Sequence, residues 1–504
     1  MKIKTEVLII GGGATGAGIS RDLALRGISS VLVEKGDLAS GASGRNHGLL
    51  HSGGRYAVSD LEAARECIAE NKILRKIAPH CIEETEGLFV SLPEDGLQFQ
   101  DRFLRACDEA EIPNALCSRD ETLAWEPELH PDLLSAVKVP DGAIDPFKLI
   151  LENAKDAENH GAKFFLHTDV TSLLIEGGKI TAAKAKDLAT GEEFLFDAAF
   201  FINATGAWAN RILNLAGLHI GMALSKGSLL ITNRRLTHRV INHCRQPSDG
   251  DIVVPNETVS ILGTTSVRLE EIERFEVTPD EVALLVRETS KMIPAIRQAR
   301  FIRAYAGIRP LFQSGEKGND RAISRGFALI DHGERDEIQN LITITGGKLM
   351  TYRLMSEKTS DLICKKMGRT EACSTHLNPL PGASQPSRSK ERLEQFSTNR
   401  GQILCDCELV ERKEVEAFLE GEKLKDLQDI LHRTRLAKGT CQGGFCVYRL
   451  LGMLCESGRT EGNPHRILKR FLEERWKGIR PVLWGTALQE EELIESIYRG
   501  IFNL

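Results

Sequence analysis

The chain has 504 residues, 41% of them hydrophobic and 27% charged, with a formal net charge of -6. This is the composition of a globular protein, long enough for about two to four domains at roughly 150 residues each. The negative balance excludes an electrostatic case for nucleic acid or an anionic membrane surface, and no run of about 18 apolar residues offers a spanning helix.

The first predicted element begins almost at once. Val7 to Ile10 is a short apolar run ending in glycines, the pattern of a buried parallel strand. Gly11-x-Gly13-x-x-Gly16 then opens a helix, Ala17 to Arg26, stopped by Gly27. Gly11 permits a tight turn, Gly13 lets backbone approach a pyrophosphate, and Gly16 allows close helix–strand packing. The helix start, with Ala14 and Thr15, turns free N–H groups and a positive dipole end toward phosphates. Ser30 to Val33 is the second strand. Glu34 closes it 18 residues past Gly16, where a carboxylate can accept ribose hydroxyls. This βαβ unit predicts a dinucleotide site, and the fingerprint alone does not separate NAD from FAD. Only MKIKTE precedes the strand, so a cytoplasmic chain is expected. The 12 cysteines then read as thiols or metal ligands rather than disulfides.

Lys35 to Gly54 holds six glycines and no apolar period before Leu49-Leu50. In a nicotinamide domain the next strand and helix would follow sooner. A segment with Ser43, Asn46, His47, Gly48 and Leu49 suits chain lying along a larger cofactor; a surface loop is the bland alternative. His51, Arg55 and Tyr56 come directly after it. A helix is predicted over Leu61 to Ala78, strands over Thr85 to Val90 and Ala136 to Val139, and a helix over Phe147 to Glu158. Lys163 to Ile175 and Lys179 to Asp187 read as strand, turn and strand, continuing through Gly191 to Phe196. Ala198 to Gly206 is a buried strand whose small end, Ala204, Thr205 and Gly206, admits a cofactor already held by the first unit.

Leu224 to Thr265 alternates strands and turns, which predicts an antiparallel substrate domain inserted between halves of the cofactor domain. Pro279 to Met292 is a helix, and Ala304 to Leu311 a turn of small residues presenting Arg309. Ile342 to Arg353 is a strand, a Gly346-Gly347 turn and a helix start through Lys348, Leu349, Met350 and Thr351. The proline- and serine-bearing stretch Thr375 to Lys390 is a linker. Cys405-x-Cys407 follows, and 33 residues later Cys441-x4-Cys446. Zinc modules usually use CxxC pairs, whereas four thiolates suffice for a 2Fe–2S cluster; zinc and unligated thiols stay as alternatives. The glycines of GTCQGGFC would free N–H groups for the sulfurs. Helices are predicted over Lys413 to Glu420 and Leu424 to Thr434, and the other eight cysteines show no ligand spacing. The last helix, Glu490 to Ile501, carries Glu490, Glu491, Glu492 and Glu495. Anionic lipid would repel these acids, so the helix reads as a core or partner face.

The motifs GGGATGAG (Gly11 to Gly18), GRNHGLLHSGGRY (Gly44 to Tyr56), NATGAW (Asn203 to Trp208), KGSLL (Lys226 to Leu230), GTTS (Gly263 to Ser266), AGIRPL (Ala306 to Leu311) and GGKLMTYR (Gly346 to Arg353) resemble the FAD-dependent glycerol-3-phosphate dehydrogenases, within the D-amino-acid oxidase-like flavoproteins. The likeness is nearest to the anaerobic, three-subunit branch. The cysteine pattern resembles the bacterioferritin-associated-ferredoxin type of 2Fe–2S domain. The resemblance implies an α/β fold: a discontinuous Rossmann-type FAD domain within 1–372, holding an antiparallel substrate part at about 75–145 and 220–310. A linker at 373–398, a small helical cluster domain at 399–456 and a helical segment at 457–504 complete it.

The resemblance also implies the chemistry: sn-glycerol 3-phosphate is oxidised to dihydroxyacetone phosphate, with hydride from C2 passing to flavin N5. Electrons then reach a quinone through a second subunit carrying FMN and an iron–sulfur membrane-anchor subunit, which places the chain peripherally at the cytoplasmic face of the inner membrane. By this likeness FAD contacts come from Gly11, Gly13, Ala14, Thr15, Gly16, Glu34, Lys35, Ser43, Asn46, His47, Gly48, Leu49, Ala204 to Gly206 and Gly346 to Thr351, and the cluster ligands are Cys405, Cys407, Cys441 and Cys446. Arg55, Arg309 and Lys348 form the anion clamp, with Tyr56 beside it; arginine grips phosphate bidentately. Lys348 is alternatively a flavin contact. His51 is the expected base, His47 the second choice, and Arg309 also a stabiliser of the alkoxide; related single-subunit enzymes carry a histidine where this chain has Leu229. Two other readings are a dehydrogenase of an amino acid or 2-hydroxy acid, and a non-catalytic electron-transfer subunit.

Overall fold

Strand Lys2–Ile10 divides its side chains between two cores. Val7 and Ile9 enter one core with Leu23, Leu149, Tyr352 and Ile363 from the helices Ala14–Leu25, Pro146–Asn159 and Tyr352–Met367. Leu8 and Ile10 enter another, with Phe194, Phe196, Ile212 and Leu213. Period-two alternation therefore still runs through a strand buried on both faces. The structure is a computed structural model and describes residues 1–273, 275–312, 326–385, 401–419, 427–458 and 463–503.

The parallel core runs Lys163–Phe165, Ser30–Val33, Lys2–Ile10, Glu193–Asn203, Leu341–Gly346. Glu193–Asn203 is one strand, where two pieces are expected. Its first residues pair antiparallel with Lys179–Asp187, and its last, Phe201 to Asn203, pair parallel with Leu341 to Thr343 along the same edge. The predicted strand from Lys163 is instead two, Lys163–Phe165 and Thr168–Glu176, because the chain turns at His167 with φ 54°. The first helix begins at Ala14 rather than Ala17, with Gly13 as its N-cap.

The second sheet has nine strands among the described residues, drawn from Gly87–Ser91 through Ser135–Val139 and from Met222–Thr232 through Phe301–Phe312. It is antiparallel except where Val240–His243 runs parallel to Gly87–Ser91. Here one expectation fails: Ala304 to Leu311 is no turn. It lies inside strand Phe301–Phe312, paired along its length with Met222–Thr232. Lys226 to Ser228 lie within the partner strand.

Residues 374–385 of the expected linker are anchored to the FAD-type domain. Arg21 donates to the carbonyl of Asn378 at 2.7 Å, and Leu380 N–H donates to Ile77 O at 2.8 Å. Residues 386–398, Glu420 and 424–426 lie outside the described residues. The cysteine-bearing part and the last helices, expected as two pieces, share a single core: Leu404, Val410, Ile430 and Leu450 pack with Leu468, Phe471, Ile494 and Tyr498. The acidic last helix, Thr486–Phe502, is a core face, with Glu491 buried against Arg475 and Glu490 paired to Arg300. No helix among the described residues is long and apolar enough to cross a membrane.

Candidate active site and cofactor cavity

A continuous cavity of about 2320 Å³ runs from Glu34 to Arg309 between the two sheets. That exceeds the roughly 300–1,000 Å³ of ordinary ligand clefts and suits an extended dinucleotide. Of the residues expected to touch FAD, all but Gly16 and Thr351 line it. Those two act from beneath. A Cβ at Gly16 would fall on the carbonyl of Gly11. The Thr351 hydroxyl accepts from Lys348 N–H and donates to Lys348 O, both at 3.1 Å, and so fixes the Lys348 backbone.

The ends of the parallel strands build the phosphate end. Gly11, at φ 114°, passes so close to the neighbouring strand end that a Cβ would stand 2.6 Å from Ala204 O. No side chain of its own caps helix Ala14–Leu25; Ala14 N–H instead donates to Ser43 Oγ at 3.0 Å across the cavity. Glu34 accepts N–H bonds from Gly12 at 2.6 Å and Gly36 at 2.7 Å. Burial outweighs these bonds and raises its affinity for a proton. Oε1 also accepts from Ser40 Oγ at 3.4 Å, and Oε2 keeps a second lone pair for a ribose. Lys35 sits at the rim beside Asp169. The Asn46 side chain is used inside its own loop, bonding Ser43 O and Gly48 N–H. At the other end Gly346 (φ 86°) and Gly347 (φ 71°) make a turn that side-chain-bearing residues resist.

The three expected cations converge near Gly346-Gly347 in unequal states. Arg55 is paired at 2.8 Å with the fully buried Asp251, which Arg245 also holds. Arg309 lies across its partner strand, donating to Thr265 O at 3.1 Å and to Thr264 Oγ1; a Cβ on Gly227 would strike its guanidinium. Lys348 Nζ is buried with no hydrogen-bond partner and stands 5.0 Å from the centre of the Tyr56 ring. His51 lies between Tyr56 at 5.5 Å and His47 at 5.8 Å. Burial first, then Arg309 and Arg55, hold His47 down at about 3, and its Nδ1 has no partner. Burial likewise pushes His51 well below its ordinary value, helped by His47, Lys348 and Arg55. Both rings are therefore neutral near pH 7, with lower basicity than a base of ordinary histidine pKa. Leu229 is buried in the sheet against Gly263, outside the cavity. The glycine cradle, the unpartnered Lys348 and His47 atoms and the cavity's size together fit FAD.

The four clustered cysteines also come together. Their thiols touch in the order Cys405, Cys446, Cys441, Cys407. Bonds from the Cys407 and Cys446 thiols, and from the N–H groups of Phe445 and Gly443, push Cys441 down to about 2. Ala437 and Glu408 N–H groups point at Cys405. Four sulfurs with N–H donors aimed at them fit an iron–sulfur cluster. The other eight cysteines are free thiols.

Sequence reasoning missed two things. Arg45, Tyr305 and Arg303 also line the cavity; the alternation Arg303-x-Tyr305-x-Gly307-x-Arg309 carried that signal. And the cysteine-bearing unit walls the cavity. Asp37, beyond Glu34, binds Arg433 at 2.6 Å and His432 at 3.2 Å, His432 stacks on Phe147, and Asp429 meets His167 at 2.9 Å.

The sequence matches the family described as FAD dependent oxidoreductase over residues 6–352. It is 45% identical, over 99% of this chain and 97% of the relative, to the A component of the anaerobic glycerol-3-phosphate dehydrogenase of Escherichia coli K12. It is 39% identical to the A1 component of that enzyme in Haloferax volcanii, over 100% of this chain and 91% of the relative. The fold is similar to that of a Bacillus halodurans glycerol-3-phosphate dehydrogenase solved with FAD, at TM-score 0.69, 22% identity and 96% coverage of both chains.

Proposed function

The chain belongs to the FAD-dependent oxidoreductases and, among them, to the A components of the anaerobic glycerol-3-phosphate dehydrogenases, and from that premise we propose that it oxidises sn-glycerol 3-phosphate to dihydroxyacetone phosphate. One observation carries the substrate class: an unpartnered buried ammonium, Lys348, beside Arg309, Arg55 and two neutral imidazoles at one end of a dinucleotide cavity. A phosphate dianion completes that charge balance. FAD, when bound, supplies the acceptor for the hydride of C2. Lys348 and Arg309 hold the phosphate, and Arg55, tied to Asp251, fixes the floor. His51, with His47 behind it, accepts the proton of the C2 hydroxyl. The bound dianion offsets the cations that depress both rings and so returns basicity when substrate is present.

Cys405, Cys407, Cys441 and Cys446 would hold a 2Fe–2S cluster, a one-electron carrier. Partner subunits bearing FMN and a membrane anchor would take the electrons on to quinone, at the cytoplasmic face of the membrane. Support for these steps is the convergence of the four thiols and the likeness to subunits of a larger enzyme.

The test is anaerobic addition of glycerol 3-phosphate to the FAD-loaded protein, followed by absorbance. Bleaching of the flavin is expected, also in Cys441→Ser, which loses the cluster signal. Bleaching by D-amino acids or 2-hydroxy acids and not by glycerol 3-phosphate would overturn the substrate. No bleaching by any of them would make the chain an electron carrier without a substrate of its own.

A further inference from the structure

Arg303, Tyr305 and Arg309 of strand Phe301–Phe312, two to four residues apart on the same face, line the cavity. Arg309 belongs to the clamp. Arg303 is six residues away along an extended strand, about 20 Å at roughly 3.3 Å per residue. A glycerol phosphate cannot span both.

Arg45 reaches the Arg303 end from the opposite loop. Its carbonyl and Cβ pack on Gly307, and its guanidinium lies 5.4 Å from the centre of the Phe275 ring. Among the described residues, neither Arg45 nor Arg303 forms an ion pair with a carboxylate. Arg303 makes one hydrogen bond, to the side-chain carbonyl of Gln442 at 3.4 Å. Helix Pro464–Ile479 closes the far side, and Gly478 leaves the room that the Arg303 side chain fills. Arg475 of the same helix adds a third guanidinium nearby, itself paired to Glu491. The one acid felt by both Arg45 and Arg303 is Glu474, and Lys477 takes it at 2.5 Å. Burial holds both arginines below their ordinary value, and for Arg303 the like charges of Arg475 and Arg45 add to this.

Arg45 opens to the cavity and Arg303 is half-buried beside it, and Glu474, the acid nearest both, is held by Lys477, so an anion entering there completes the charge balance. Planar forks on two elements match the oxygens of a tetrahedral dianion. We propose that Arg45 and Arg303 form a second anion site, for a phosphate-type dianion, at the seam between strand Phe301–Phe312 and helix Pro464–Ile479. It needs no turnover and stands apart from the Lys348 clamp, although it opens into the same cavity.

The test uses the full-length, FAD-loaded protein, titrated calorimetrically with orthophosphate at low salt. Two classes of site are expected. Arg303→Gln and Arg45→Gln should each weaken one class by at least about tenfold, the loss of a charge-assisted pair, and leave the other. Lys348→Met should do the reverse. Glycerol 2-phosphate, which has no oxidisable C2 hydroxyl, separates the sources: its binding at the second class marks a site for phosphate esters, and failure to bind there marks one for free phosphate. Melting curves give an independent reading. Without phosphate, Arg303→Gln should melt higher than the parent, because repulsion is relieved, and phosphate should raise its midpoint less. A single class abolished by Lys348→Met, or a second class untouched by both arginine variants, would overturn the site. Flavin bleaching by glycerol 3-phosphate should persist in Arg303→Gln, so failure here is distinct from failure of the proposed reaction.

Discussion

Lys348 keeps a buried ammonium without a hydrogen-bond partner, and such a group is stored cost until an anion arrives. Replacing it by methionine should raise KM for glycerol 3-phosphate about tenfold or more, the value of a charge-assisted bond, while FAD stays bound and melting does not fall. Steady-state kinetics and flavin absorbance check this. The neighbouring histidines carry the opposite lesson. Because the folded state holds His47 at about 3 against an ordinary 6.5, the unfolded chain takes up its proton first as pH falls. Stability should therefore drop from about pH 6.5 toward about pH 3, and His47→Asn should flatten that slope. In histidine-labelled protein followed by NMR, His47 should still be neutral at about pH 5, and both rings should titrate higher when phosphate is added; midpoints unmoved by phosphate would sink the substrate-restored base. Residue types and motif positions named Arg55, Lys348 and the histidines. They did not reveal that Arg55 is already paired, because Asp251 reaches it from 196 residues away.

Among elements, the βαβ start was legible because its signals are local: an apolar run, spaced glycines and a closing acid. Strand Phe301–Phe312 was not, because its alanines and Gly307 imitate a turn while its pairing partner lies far back in the chain. Small residues serve a different purpose there. Gly307 makes room for Arg45, and on the facing strand Gly227 leaves room for the Arg309 guanidinium. Gly227→Ala should therefore keep the sheet and the flavin, displace Arg309, and raise KM several-fold with a smaller change in kcat. An unchanged KM would show that Arg309 adjusts without loss. The cysteine helices follow the same rule of locality: CxC and Cx4C were readable, but the packing of Leu468 and Tyr498 into their core was not.

At the scale of the molecule, the cysteine-bearing unit is more than an appended relay. Helix Leu427–Thr434 sits on Asp37, Phe147 and His167, beside the strand end that carries Glu34. Arg435 adds a contact to Asp145 at 3.3 Å. Length and linker composition predicted separate domains, and nothing in the sequence placed one against the other's cavity. Loosening the seam with Arg433→Ala and His432→Ala together should speed the exchange of bound FAD for free FAD at least about fivefold, since release then needs a smaller opening; an unchanged exchange rate would mean that this wall does not retain the cofactor. The seam also sets an order in time. A ribosome finishes Asp37, Phe147 and His167 before it makes the helix that packs on them, so the nascent chain offers FAD a trough with one wall fewer than the finished one. Flavin supply during synthesis, rather than affinity afterwards, would then govern how much of this protein is born loaded.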